Sequence, residues 1–172
     1  RRPHPLRRHA HEVVSLAELT VDNVRCIEHA DLSLHPRHNL VWGVNGSGKT
    51  SVLEAAFLLG RGRSFRTRNS ERLIRHGQPQ LTVFGRTAGP VPQALGIQVS
   101  KAEGTKARIG GVAAGSLTEL SQAFPVQVID PGIHKLVEEG GYRRRRWLDW
   151  AVFHVEQSFA DHWVRYTRTE AA

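Results

Sequence analysis

The sequence predicts an α/β fold: a lobe with a mixed sheet and an antiparallel β meander, followed by the start of a helical lobe. Three observations carry that expectation. A short apolar run, Leu40-Val41-Trp42, meets the glycine-rich loop Gly43-Val44-Asn45-Gly46-Ser47-Gly48-Lys49-Thr50, and an apolar-rich helical segment follows from Ser51 to Leu59. Short alternating segments separated by turn residues occupy 81–109. Beyond Gly140-Gly141, aromatic residues return at helical spacing.

The glycine loop fits G-x-x-x-x-G-K-[ST], the phosphate-cradling P-loop, and its setting between an expected buried strand and a helix start is the one the motif requires. Gly43 lets the chain turn sharply out of the strand. Gly46 and Gly48, without a Cβ, let backbone N–H groups close on phosphate oxygens. The positive end of the following helix adds to that anion site. Lys49 has the reach for the β- and γ-phosphates, and the Thr50 hydroxyl suits Mg²⁺. Gly60 reads as the helix stop. The dinucleotide fingerprint G-x-G-x-x-G is absent, because Gly46-Ser47-Gly48 runs into Lys49-Thr50-Ser51.

Composition bounds the partners. The 172 residues carry 24 basic and 16 acidic side chains, a formal charge of +8. Arginine supplies most of the basic residues, and its planar fork suits bidentate phosphate contacts. A polyanionic partner is therefore favoured. No apolar run approaches the ~20 residues that span a bilayer, and no signal peptide is read at the N-terminus. The single cysteine, Cys26, leaves no internal disulfide, which fits a reducing cytoplasm.

In chain order, residues 1–14 read as a disordered basic leader, whose His4, His9 and His11 lack a metal-binding spacing. Residues 15–141 read as the nucleotide lobe. It opens with a half-buried antiparallel pair, in which Leu19, Val21 and Ile27, then Ala30, Leu32 and Leu34, alternate with polar residues around a turn at Asn23 to Glu28. After the P-loop helix, six arginines stand against one acid between Arg61 and Arg75, around Gly62, Ser64 and Phe65. Such a run is a solvated face or a loop that meets nucleotide or DNA. Leu81–Arg86, Ala94–Ser100 and Lys106–Ile109 form the meander. Ser116-Leu117-Thr118-Glu119 is a capping box for a short helix to Ala123, stopped by Phe124-Pro125. Val126–Ile129 reads as a second buried strand, and Ile133–Glu139 as a helical piece. Residues 142–172 read as the start of a helical lobe, with Trp147, Trp150, Ala151, His154 and Val155 as a packed stripe, repeated by Trp163 and Tyr166.

Several of these segments together resemble a family. LTVDNVRCIE at 19–28, GVNGSGKTSVLEAAFLLGRGRSFRT at 43–67, LIRHG at 73–77 and RRRWLDW at 144–150 are similar to the N-terminal half of the bacterial RecF family. The resemblance implies an SMC-like, ABC-type ATPase first lobe that binds ATP and Mg²⁺ and forms a homodimer around ATP. It also implies binding to double-stranded DNA and to single/double-strand junctions, and work with RecR- and RecO-type mediators in the cytoplasm. It implies the P-loop residues 43–50 as the ATP site, with Arg25 and Arg63 as further nucleotide contacts. Gln127 falls where ABC-type heads carry a metal-sensing glutamine. Arg66, Arg68, Arg144 and Arg145 become candidate DNA contacts.

The sequence departs from the family at Pro131-Gly132-Ile133, which lacks the family's acid after the second strand. No apolar run ends in Asp-Asp or Asp-Glu, so no catalytic carboxylate is assigned in this chain. The signature segment and the Walker B carboxylates are expected beyond residue 172. Hydrolysis is then expected of a full-length, DNA-stimulated dimer and not of this lobe alone. Three alternatives stay open: a P-loop phosphotransferase for a small molecule, another SMC-like head, and a DNA module with a vestigial nucleotide site.

Overall fold

A computed structural model describes residues 14–89, 91–129, 140–156, 159 and 166. The chain divides into two compact units, Arg1–Val126 and Gln127–Ala172. The first contains β1 (Ser15–Val24), β2 (Ile27–Ser33), α1 (Lys49–Arg61), a 3-10 turn (Ser70–Leu73), β3 (Gln80–Ala88), β4 (Ala94–Ser100), β5 (Gly104–Ile109), β6 (Val112–Ala113) and α2 (Leu117–Ala123). The six strands make one sheet in the order β2-β1-β3-β4-β5-β6, and every described pair is antiparallel.

The period-two pattern of the opening segment becomes the β1–β2 hairpin, with Leu19 opposite Leu32, Val21 opposite Ala30 and Val24 opposite Ile27. Its turn is tight enough to put two non-glycine residues, Asn23 and Arg25, at positive φ. The 73–75 backbone clamps it: Arg25 N donates to Leu73 O at 2.7 Å and Arg75 N to Asn23 O at 2.8 Å. The meander forms as its alternation predicts, and β6 adds a short hairpin arm that the sequence does not announce.

One face of the sheet buries Leu19, Val21, Leu81, Val83, Leu95 and Ile97, and α1 packs on it through Ala55, Leu58 and Leu59. Each fully buried leucine contributes about 1.5–3 kcal/mol relative to exposure. The helix comes close because β3 carries Gly85 at the crossing. A Cβ there would lie 2.5 Å from Leu59 Cδ2 and 2.9 Å from Leu16 Cδ1.

Several expectations are corrected. Gly60 does not stop α1: the helix runs on to Arg61, and Gly62, at φ 65, caps it by donating to Leu58 O at 2.8 Å. Gly60 is glycine because a Cβ would lie 2.6 Å from the Phe124 carbonyl oxygen. Leu40-Val41-Trp42 forms no strand, and Leu40 and Trp42 are 87% and 83% exposed. Val126–Ile129 forms none either. A fully buried strand needs neighbours on both sides, and the described residues pair neither segment.

The capping box is half made. Glu119 Oε2 accepts from Gly115 N at 3.2 Å, one residue before the expected donor, while the Ser116 side chain makes no cap bond.

In the second unit, α3 spans Gly140–Val155, so the glycine pair opens the helix instead of breaking the chain before it. Trp147 is exposed and Trp150 half-buried, which departs from a uniformly packed stripe. The leader at 1–13, the piece at 133–139, the side chains of His154 and Val155, and Trp163 lie outside the described residues.

Candidate nucleotide site

Residues 43–48 leave the sheet region as an exposed loop and deliver the chain into α1 at Lys49. Three glycines set its path. Gly43, Gly46 and Gly48 have φ values of 149°, 85° and 92°, a region that side-chain-bearing residues adopt only under strain. Gly48 is the N-cap of α1 in a left-handed conformation, and no side chain caps the helix there. The first helical bond accepted at Gly48 comes from Val52 N at 3.0 Å. The N–H groups of Lys49, Thr50 and Ser51 therefore have no acceptor within the helix.

Gly48 also solves a packing problem. A Cβ at this position would lie 3.3 Å from both Cys26 Sγ and Ile27 Cγ1. The β1–β2 turn thus buttresses the helix start, and Cys26 Sγ lies 3.7 Å from Ser51 Oγ. On the open side, nothing stands within 4 Å of the place a Gly46 Cβ would take. Lys49 curls back over the loop, where its Nζ donates to Gly43 O at 2.8 Å and Val44 O at 2.7 Å. A flexible ammonium held only by carbonyl dipoles at the loop rim is free to exchange them for phosphate oxygens. Bare helical N–H groups, an open glycine face and a lysine whose carbonyl bonds are exchangeable together fit a polyphosphate. Thr50, the second residue of α1, is exposed at the same end.

The arginine loop is anchored beside this helix by a residue that sequence reasoning passed over. Glu54, within α1, has a side chain with 0% exposure. Its Oε1 accepts from Arg25 Nη2 at 3.0 Å and from Ser64 Oγ at 2.9 Å, and its Oε2 accepts from Arg25 Nε at 3.1 Å. Arg66 Nη1 stands 3.9 Å from Oε2. Ser64 Oγ accepts from Arg66 N at 3.0 Å and Thr67 N at 3.3 Å. Phe65 meets Phe57 of α1 edge-on, with centroids 5.4 Å apart. Two of the loop residues read as nucleotide- or DNA-facing, Ser64 and Phe65, are thus turned inward.

A usable signal existed. Ser51, Glu54, Ala55 and Leu58 fall on one helical face, and a carboxylate there needs cations.

Arg63 and Arg68 are exposed, and Arg68 lines a groove of about 400 Å³ with Asn69, Ser70, Glu71, Val99, Gly104 and Thr105. Gln127, Arg144 and Arg145 are exposed within the second unit. Among the described residues, no cluster of His, Cys, Asp or Glu has the make-up of a metal site, and no helix is long and apolar enough to cross a membrane.

A family profile described as the RecF/RecN/SMC N terminal domain matches residues 15–131. The chain is 42% identical over 166 residues to the DNA replication and repair protein RecF of Marinobacter nauticus, covering 90% of this chain and 44% of that one. It is 40% identical to RecF of Pectobacterium atrosepticum, covering 91% and 44%. The chain thus spans a little under half the length of the curated relatives it matches. Among solved structures, the recombination mediator protein RecF-ATP of the RecFOR pathway superposes with a TM-score of 0.81 at 25% identity, over 92% of this chain and 44% of that one. A structure from work on ATP-driven dimerization and DNA-stimulated activation of SMC ATPases superposes at 0.62 with 15% identity, over 80% and 99%, and shows the shared fold.

Proposed function

The chain belongs to the RecF/RecN/SMC N-terminal domain family, and from that premise we propose that it is the ATP-gripping lobe of a RecF-like DNA-repair ATPase. The observation that carries this reading is the loop itself: three left-handed glycines, bare helical N–H groups and Lys49 folded over the rim. ATP is held with its β- and γ-phosphates on the 43–50 backbone and on Lys49. Mg²⁺ is held with help from the Thr50 hydroxyl. The ion supplies charge neutralisation at the phosphates when bound.

The lobe grips nucleotide and does not complete the chemistry. Hydrolysis needs a carboxylate that orients water. The acid nearest in sequence along α1, Glu54, is buried under two arginines and a serine. In the proposed mechanism a second copy closes over the ATP, so nucleotide controls dimerisation and, with it, the hold on double-stranded DNA and on single/double-strand junctions. RecR- and RecO-type mediators are the proposed protein partners, and the cytoplasm the compartment. RecF names among the relatives and the arginine-rich loop beside α1 support that assignment.

Calorimetric titration with ATP tests the site. We expect saturable binding to the wild-type chain and at least a tenfold loss with Lys49→Ala, about 1.4 kcal/mol or more. Equal affinity in the two proteins would overturn the assignment.

A further inference from the structure

We infer that Glu54 is a positioning residue that gives two arginines different tasks: it keeps Arg25 as an internal counter-charge and leaves Arg66 as the guanidinium that meets an incoming phosphate. The inference rests on the DNA-binding reading above and deepens it.

The bonding around the carboxylate separates the two. Arg25 uses both Nε and Nη2 on opposite oxygens of Glu54, a bidentate fork at 3.1 and 3.0 Å. Its backbone is fixed as well, at φ 57 in the β1–β2 turn and bonded to Leu73 O at 2.7 Å. Swinging the Arg25 side chain outward would leave a fully buried carboxylate short of its main partner.

Arg66 is held differently. At 3.9 Å it lies beyond hydrogen-bond reach, so its attraction to Glu54 is coulombic only, and its side chain is 56% exposed against 32% for Arg25. One negative charge faces two positive ones, and the surplus falls on the exposed arginine.

Ser64 completes the arrangement. Its hydroxyl donates to Glu54 while accepting the N–H groups of Arg66 and Thr67. The same carboxylate that neutralises Arg25 therefore fixes the backbone from which Arg66 projects.

Binding of short duplex DNA by this chain in the presence of saturating ATP, followed by fluorescence anisotropy across a salt series, tests the division. Melting temperatures are recorded for each variant. We expect Arg66→Gln to lower the slope of log K against log salt by about 0.9, the value of one lost phosphate contact, with a melting temperature close to wild type. Arg25→Gln is expected to melt lower, because Glu54 is left buried with only Ser64 and a distant Arg66. Should that variant fail to fold, the Arg25→Gln/Glu54→Gln double variant keeps a neutral hydrogen-bonding pair. It is expected to fold and to retain the wild-type slope, so that the slope loss belongs to Arg66 and not to Arg25. The inference is overturned if the double variant loses about 0.9 as well, or if Arg66→Gln leaves the slope unchanged. Wild-type protein that binds ATP but no duplex at any salt sinks the DNA reading, and the inference with it.

Discussion

At the residue scale, buried and exposed ion pairs in this protein behave as different objects. Glu54 is sealed, so removing Arg25 without replacing its hydrogen bonds strands a charge. Arg25→Met is expected to cost toward the lower end of about 3–5 kcal/mol, since the arginine itself is partly exposed. Urea unfolding of the variant measures this, and a loss below about 1 kcal/mol would place the pair among ordinary surface bridges.

His29 is the exposed counterpart. On β2 it sits between Asp22, at 2.6 Å, and Asp31, at 2.9 Å, and Thr20 Oγ1 donates to Asp31 at 2.6 Å. The hydrogen bond to Asp22, then the bond and charge of Asp31, raise the His29 pKa above its ordinary 6.5. The bonds from Thr20 and then His29 lower that of Asp31 below 3.8. The histidine's contribution to stability is therefore complete below 6.5 and fades as pH rises through its folded value. That of Asp31 is complete above 3.8 and fades as pH falls through its folded value. The cluster supports the hairpin best between those limits. An NMR titration should place the His29 midpoint above 6.5, and Asp22→Asn should bring it down. A midpoint indifferent to that substitution would remove the bridge.

At the element scale, the contact of α1 with the sheet decides the architecture, and glycines rather than large side chains set its closeness. Gly85→Ala would drive a methyl to 2.5 Å from Leu59 Cδ2 and 2.9 Å from Leu16 Cδ1, so these side chains, or the elements that carry them, must shift. Overpacking of this kind costs about 1–3 kcal/mol, and a thermal melt of the variant should show it. Wild-type stability would mean that Leu59 repacks freely.

Elements whose signal is local were legible in the sequence. The hairpin and the meander follow from strict alternation, and the P-loop from chemistry confined to eight consecutive residues. The failures share the opposite property. Glu54 takes its meaning from Arg25, 29 positions away, and from Ser64, ten positions away. Leu40–Trp42 and Val126–Ile129 are apolar enough for buried strands, but an apolar run states a need for neighbours without naming them. Residues 43–48 form a loop, as the motif predicts. Its buttress at Cys26 and Ile27, and the bracing of the arginine loop through Ser64 and Phe65, depend on contacts that no spacing rule contains.

At the scale of the whole molecule, a chain of charge +8 will respond to any polyanion, so stabilisation by nucleotide must be separated from charge neutralisation. A ligand that binds only the folded state raises stability by RT ln(1 + [L]/Kd), about 2.7 kcal/mol at one hundred times Kd. ATP held by the loop should therefore raise the melting temperature of the wild-type chain and raise that of Lys49→Ala by about half as much or less, since a tenfold weaker Kd leaves about 1.4 kcal/mol at the same concentration. Inorganic tripolyphosphate at matched ionic strength supplies the comparison. Acting through general charge, it would shift both proteins alike. Acting through the loop, it would favour the wild type, as ATP does. Backbone amide exchange localises the effect. Protection on adding ATP should concentrate at 43–52 and spread to Cys26 and Ile27, because Gly48 packs directly against their side chains. Uniform protection along the sheet, with Lys49→Ala responding as the wild type does, would mean that ATP is sensed as a diffuse anion and that the loop does not hold it.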